Sequence, residues 1–481
     1  MATISSPGIG SGLDINSIVT QLMAVERRPL TKLQQAASGV QTQLSVYGGV
    51  QSRLDSLSTA TSKLSTASTW TQTTTEVSGS DALTATSSGS ASPTTLKVDV
   101  TALARAQSTS SPVVASSTAV VGTGTLTIQK AAWSGGTLGA GTGTAVNITI
   151  DSSSNTLAGI RDKINAADAG VTASILTDSS GARLVLQSSS TGAANGFRVS
   201  VTDNDGASTD ATGLSMLGYD PPTNAQGQLN QAGSDLQATI NGASVTSASN
   251  TLTDVIEGIT LNVSNTTSST ATIVVKRDLA AMNKAISEFV TAYGDLSSYL
   301  DQQTSYDAAN KRGQPLQGDR VALSLRSQVR DAVIAATSAT TAFSGTTGQG
   351  SRLADIGITL QRDGKLAVDQ TKLDKSLEKL SDVASLFSKA DAANSANRGV
   401  ATRLKSLVTA LTGTDGAVTS RKAGLSTQIS RNQDDQERMT DRLAMVEARL
   451  RRQYQGLDAK MGKLTGMGQY VSAQMTKLNN S

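Results

Sequence analysis

The sequence contains no cysteine and no histidine. The first absence removes disulfides and thiolate ligands. The second removes the commonest general base and the commonest metal ligand. Aromatic residues make up 3% of the chain, leaving few rings to stack on bases or sugars. The formal net charge is +3, so no strong field draws the chain to nucleic acid. No uninterrupted apolar run is long enough to span a bilayer, and the N-terminus lacks the basic region and apolar core of a Sec-type signal peptide. A structural or binding protein is therefore favoured over an enzyme. No catalytic, cofactor-binding or metal-binding residue is expected. A length of 481 residues suggests two to four domains.

What is present is helical periodicity at both ends. From Leu425 onward, Leu425, Ile429, Met439, Leu443, Val446, Leu450, Tyr454, Leu457, Met461, Leu464, Val471, Met475 and Leu478 recur in steps of three and four. That spacing is the seam of a helix made to lie along another helix. Asp434/Arg438 and Glu447/Arg451 stand four apart, acid first, the better orientation for a helical pair. At ~1.5 Å per residue the stretch is about 80 Å long. At the other end Asp14 is placed to cap a helix carrying Ile18, Leu22 and Val25, and Pro29 ends that helix or restarts one. Leu30, Leu33, Ala37, Val40, Leu44, Tyr47, Val50, Leu54, Leu57 and Leu64 continue the stripe, with one slip near Gly48-Gly49.

The middle differs. Residues 65–95 are dense in Ser and Thr and leave the helical pattern. From Leu96 the period is two: Leu96–Val100, Leu126–Ile128, Val146–Ile150, Val171–Leu176, Ala182–Leu186, Phe197–Val201, Ala238–Val245, Ile259–Val263 and Ala271–Val275 read as strands. One helix interrupts them at 156–169, with Gly170 placed to stop it. The helical period returns at Leu279–Leu300, Asp319–Ala336, Leu373 to Phe387 and Leu404–Leu411, around an Asp363-Gly364 hairpin signal.

The fold class is thus α+β and multidomain. Long N- and C-terminal helices form a coiled-coil stalk, beside a helical domain with a β-hairpin and inserted β-rich heads. The expected divisions are 1–40 with 440–481 as terminal leg helices, 41–70 with 276–439 as the helical stalk domain, 71–121 with 234–275 as an inner head, and 122–233 as an outer head. Ile18, Leu22, Leu30, Leu33, Leu44, Leu443, Val446, Leu450, Leu457, Leu464, Val471 and Leu478 are the expected oligomer and filament contacts, with 425–478 reserved mainly for contact between subunits. Gly456, Gly462, Gly466 and Gly468 each cost about 1 kcal/mol of helix propensity relative to alanine. The outer ends, about 1–30 and 455–481, are accordingly expected to order only against neighbouring helices.

Four motifs read as ordinary structure. Gly8 to Gly12 lacks the strand and spacing of a phosphate loop. Asp203 to Gly206 lacks the third acidic ligand and closing Glu of a calcium loop and reads as a turn. Ser376 and Lys379 have acyl-transfer spacing but no companion motifs. Arg449, Arg451 and Arg452 read as the outer face of a helix.

The run from Gly8 to Leu30 (GIGSGLDINSIVTQLMAVERRPL) resembles the bacterial flagellar filament cap family, the hook-associated protein 2 family. So do Thr156–Leu186 (TLAGIRDKINAADAGVTASILTDSSGARLVL), Leu252–Leu261 (LTDVIEGITL), Phe289–Leu296 (FVTAYGDL) and Leu353–Leu366 (LADIGITLQRDGKL), in the family order. The stretches 104–145 and 203–235 carry little resemblance. The resemblance implies export through the flagellar type III channel without a cleaved signal, and an extracellular place at the filament tip. It implies a ring of about four to six copies, with heads as a plate and terminal helices as legs that retain flagellin and promote its folding and polymerisation. Hook-associated junction proteins and an export chaperone at the C-terminal helix are the further partners implied. Neither nucleic acid nor membrane insertion is. An adhesin binding host mucin or glycans through the heads is the competing reading. Another secreted filament component is a third, disfavoured by the Gly8–Leu30 run.

Overall fold

The structure is a computed structural model that describes residues 14–479 except 310 and 346–348, with the side chains of 477–479 left undescribed. Its helices are α1 (Ile15–Glu26), α2 (Arg28–Ser65), α3 (Ala67–Thr71), α4 (Leu157–Ala166), α5 (Leu279–Thr304), α6 (Arg320–Ile334), α7 (Gln370–Leu377), α8 (Leu380–Ser388), α9 (Val400–Thr412) and α10 (Ala417–Asn479). The chain divides into two compact units, Met1–Trp70 with Ala280–Ser481, and Thr71–Leu279.

The first unit is built on α2, which packs against α8, α9 and α10. Tyr47, Val50, Leu54, Leu57 and Leu64 of α2 are buried with Ile286, Phe289 and Leu296 of α5, Leu325 of α6, Leu404 of α9 and Leu425 of α10. Three of the chain's four phenylalanines, Phe289, Phe387 and the half-buried Phe343, and one of its two tryptophans pack here. Trp70 stacks on Phe387 at 5.4 Å between centroids, and Phe289 meets the same ring edge-on at 6.3 Å. Asp14 caps α1 by accepting from the Ser17 amide at 3.0 Å. Pro29 restarts a helix rather than ending one: Arg27 keeps helical dihedrals, and α2 begins at Arg28 with proline in its first turn. The Gly48-Gly49 pair lies inside the continuous α2. Asp319 and Asp369 cap α6 and α7. The Asp363-Gly364 signal is a hairpin between Ile358–Leu360 and Leu366–Val368, with Gly364 at φ +77. The helix expected from Leu373 to Phe387 is broken. Lys379 leaves the helical region at φ −103 and ψ 58, so α7 and α8 are separate.

The second unit is antiparallel sheet throughout its named pairings. Thr73–Ser78, Ala271–Arg277, Thr94–Ala102, Leu236–Ile240 and Ala243–Ser247 form one sheet in that order. Thr251–Ile256, Ile259–Val263 and Leu83–Ser87 form another. Val98, Leu236, Leu261 and Ile273 lie in the core these two share. A second core holds Leu126, Ile128, Ile150 and Leu184 with Leu157, Ile160 and Ile164 of α4. Around it lie the sheet of Gln228–Gln231, Ser108–Ser110, Gly181–Ser188 and Val171–Asp178, and the sheet of Thr137–Ile150, Gly124–Ser134 and Gly196–Asp203. Valine, isoleucine and leucine carry both cores, joined by Phe197 and Tyr219.

Two expectations change here. The strand expected over Ala238–Val245 is a hairpin: Asn241 (φ 50) and Gly242 (φ 83) take the left-handed conformations of a two-residue turn. Asn241 Oδ1 accepts from the Lys97 amide at 2.8 Å, which holds that turn to the next strand. Residues 65–95, read as leaving the helical pattern, begin with the short helix α3 and then form the strands Thr73–Ser78 and Leu83–Ser87. Hydroxyls add there to the apolar packing of Leu83, Val77 and Ala85. Thr75 Oγ1 donates to the Ala85 carbonyl at 2.6 Å, and Ser87 Oγ to the Thr73 carbonyl at 2.9 Å.

Candidate functional site

The described end of the chain folds back along α10. Ile15, Val19 and Met23, one helical turn apart on α1, are buried with Leu443. Leu30, Met439, Val446, Leu450 and Tyr454 pack half-buried around them. Polar contacts set the antiparallel register. Arg451 reaches Glu447 at 2.9 Å and Asn16 Oδ1 at 3.3 Å, and Arg27 lies 3.8 Å from Glu447. These pairs are largely solvated and each is worth only a few tenths of a kcal/mol, roughly; burial of the apolar face does the holding. Arg438 pairs with Asp435, three residues away, instead of Asp434.

The root of α10 is fixed by a buried carboxylate. Asp319 caps α6 by accepting from the amides of Val321 and Ala322. It also accepts from the Tyr47 hydroxyl at 2.7 Å and from Arg421 at 2.9 Å. One side chain thus joins α2, α6 and α10. Burial alone would raise its pKa. The Tyr47 hydroxyl, the Ala322 amide and Arg421 outweigh that and hold it below the ordinary carboxylate value. Tyr47 is pushed above the ordinary phenol range by burial first and by Asp319 second.

The expected contact residues fall into three groups. Leu443 is buried, with Ile18, Val446 and Leu450 half-buried on the α1–α10 pair and Leu30, at the start of α2, half-buried against it. Leu33 and Leu44 are half-buried on α2, and Leu44 packs on the main core of the first unit. Leu22, Leu457, Leu464 and Val471 are exposed, and the side chain of Leu478 lies outside the described residues. The buried face of α1 is Ile15, Val19 and Met23, whereas Leu22 and Val25 point outward. Both stripes have helical spacing, so periodicity did not choose between them. Residues 1–13, part of the segment expected to order on assembly, lie outside the described residues.

The seam expected mainly between subunits is covered within the chain as far as Tyr454. Beyond it, Leu457, Met461, Leu464, Val471 and Met475 continue the stripe, with Gly468 standing in the gap between Leu464 and Val471, and Met475 is 65% exposed. At ~1.5 Å per residue the stretch from Leu457 to Met475 runs roughly 27 Å. Gly456 adjoins it, Gly466 and Gly468 lie on it, and a Cβ at any of them would meet nothing within 4 Å. Of the four motifs read as ordinary structure, Gly8 to Gly12 lies outside the described residues. Asp203 accepts from the Ser215 and Asp205 amides, and Ser376 Oγ donates to the Lys372 carbonyl. Among the described residues no group of three His, Cys, Asp or Glu side chains is placed to hold a metal, and no helix is long and apolar enough to cross a membrane.

Comparison with known proteins gives concordant matches. Residues 11–107 match the family described as the flagellar hook-associated protein 2 N-terminus, and residues 233–466 match its C-terminus. Residues 137–190 match the flagellin hook IN motif. The B-type flagellar hook-associated protein 2 of Pseudomonas aeruginosa is 31% identical over 99% of this chain and 98% of that protein. Flagellar hook-associated protein 2 of Escherichia coli K12 is 30% identical over the whole of both chains. The crystal structure of the D1–D2–D3 domains of the Escherichia coli flagellar cap protein superposes with a TM-score of 0.62 at 30% identity, covering 79% of this chain and 99% of that one.

Proposed function

The chain belongs to the flagellar hook-associated protein 2 family, and from that membership we propose how its own residues serve a cap at the tip of the flagellar filament. The family role is structural. Nothing in the relatives' descriptions supports the adhesin reading.

The observation that carries the proposal is the uncovered stripe Leu457–Met475 on a helix whose preceding turns are covered by α1 and α2. A helix with one apolar face in water gains by laying that face on a partner. The legs, 1–40 with 440–481, clasp neighbouring helices through this stripe and order fully when they do. The segments 41–70 with 276–439 form the helical support, 71–121 with 234–275 the inner head, and 122–233 the outer head. The ring holds about four to six copies and retains flagellin as it folds into the filament. Hook-associated junction proteins and an export chaperone that masks the C-terminal helix complete the set of partners. The glycines on the uncovered stretch suit this use, since they weaken the lone helix and let a neighbouring backbone approach closely.

Complementation of a cap-less strain tests the reading. Leu464→Asp places a charge in the clasped stripe and is expected to abolish motility and the ring seen by electron microscopy, while the purified chain melts as the parent does. Normal rings and normal swimming by this variant would overturn the proposal.

A further inference from the structure

A small, comparatively enclosed cavity of about 210 Å³ lies between α5, α6 and the turn of the Ile358–Val368 hairpin, away from the apolar seam. It is lined by Tyr293 and Asp301 of α5, Arg326 and Arg330 of α6, and Arg362 of the turn. Charge is compensated unevenly. Arg326 pairs with Asp301 at 2.7 Å. The other acid of the lining, Asp363, turns its carboxylate to the Lys365 amide at 3.1 Å. Among the described residues, Arg330 and Arg362 have no hydrogen-bonded or ion-paired partner. Burial pushes the Tyr293 hydroxyl above its ordinary value against Arg330, a hydrogen bond with the Ser297 side chain, and Arg326, so it stays a neutral phenol.

Two guanidinium forks and a phenol donor around one cavity are a donor set for an oxyanion. The size limits the guest. Sites for drug-sized ligands run from about 300 Å³ upward, so this one takes a group of a few heavy atoms. We propose that the cavity binds a small free oxyanion of the phosphate class, held by Arg330 and Arg362 from opposite sides and by the Tyr293 hydroxyl. Bound there, the anion ties the hairpin turn to α6. Ser297 already holds the same turn from α5 by donating to the Gly364 carbonyl at 2.8 Å.

The test is titration of the full chain with inorganic phosphate, by calorimetry and by thermal melting, against chloride at equal ionic strength. Phosphate is expected to bind and to raise the melting midpoint beyond chloride. Arg330→Gln with Arg362→Gln is expected to remove both effects while leaving the midpoint in chloride unchanged, because both side chains are exposed at the mouth. Should that pair fold poorly, Arg330→Lys with Arg362→Lys keeps the charge, loses the fork, and is expected to bind about tenfold more weakly. Acetate in a parallel arm tests the class of anion: a smaller gain than from phosphate is expected, and a gain equal to that from phosphate would overturn the assignment to the phosphate class. No gain from phosphate over chloride, or an equal gain in the glutamine and lysine pairs and the parent chain, would overturn the proposal.

Discussion

Truncating Leu443 to alanine separates the covered part of the α10 stripe from the uncovered part. Leu443 is 7% exposed and closes the cluster of Ile15, Val19 and Met23. Removing a buried leucine side chain costs about 2–5 kcal/mol. The lower end applies, because the half-buried Val446, Leu450 and Leu30 leave the rim partly open to relaxation. A loss of about 2 kcal/mol corresponds to roughly thirtyfold. The loss falls locally, on the docking of α1. That helix has 12 residues, too few to persist alone in water. Amide exchange in Ile15–Glu26 should therefore accelerate by that factor, while exchange around Leu54 and Phe289 in the main core stays unchanged. Leu464→Ala supplies the contrast. Leu464 is 59% exposed, so its truncation should leave α1 exchange within about twofold of the parent. Unaltered α1 exchange in Leu443→Ala, or fast α1 exchange in Leu464→Ala, would refute the division of the stripe at Tyr454.

Asp319→Ala leaves the Tyr47 hydroxyl, Arg421 and two helix amides without their acceptor and should cost about 3 kcal/mol in denaturant unfolding. The folded-state pKa of Asp319 lies below the ordinary 3.8, so its stabilisation is complete above that value and is lost as pH falls through the lower, folded one. Asp319→Asn should accordingly flatten the acid limb of the stability profile and leave the profile's shape near neutrality unchanged. Trp70→Ala removes the ring stacked on Phe387 and the indole bond to the Leu64 carbonyl at 2.9 Å, for an expected loss of about 3–5 kcal/mol in the same assay. Gly466→Ala should raise the helicity of the free chain by circular dichroism, since its Cβ meets nothing within 4 Å, and should impair ring formation if a neighbour packs on that backbone.

Legibility in the sequence followed the strength of each local signal. Asp14, Asp319 and Asp369 stood before helical stripes, and all three cap helices. Asp363-Gly364 stood between two alternating runs and makes the turn of a hairpin. The signals failed where polar groups carry the structure. Thr73–Ser78 and Leu83–Ser87 hold together partly through threonine and serine hydroxyls on neighbouring carbonyls, which no hydrophobic period records. Asn241-Gly242 carried a strong turn signal inside a run otherwise rich in strand formers, and the turn chemistry prevails. The break at Lys379 has no glycine or proline to mark it. Leu373, Leu377, Val383 and Phe387 keep a spacing that one helical face can carry, and all four are buried in the main core, so the period gave no sign of the break.

The candidate site was legible as a period and illegible as a partner. One helical stripe runs from Leu425 to Met475, yet Leu425 joins the main core, Leu443 meets α1, and Leu464 meets water. Helical spacing states that a face is to be covered, and the rest of the chain decides by what. On α1 the ambiguity is sharper. Ile15, Ile18, Val19, Leu22, Met23 and Val25 spread apolar character over a wide arc, and only docking on Leu443 selects Ile15, Val19 and Met23. The residue of that selection is informative. Leu22 and Val25 on α1, and Leu457 to Met475 on α10, are apolar side chains for which the described chain supplies no cover. Intrachain packing does not account for their pattern. Neither does space account for Gly456, Gly466 and Gly468 of α10, which cost helix stability and relieve no crowding inside the chain. Both features make sense together if the surface that completes this helix belongs to another molecule.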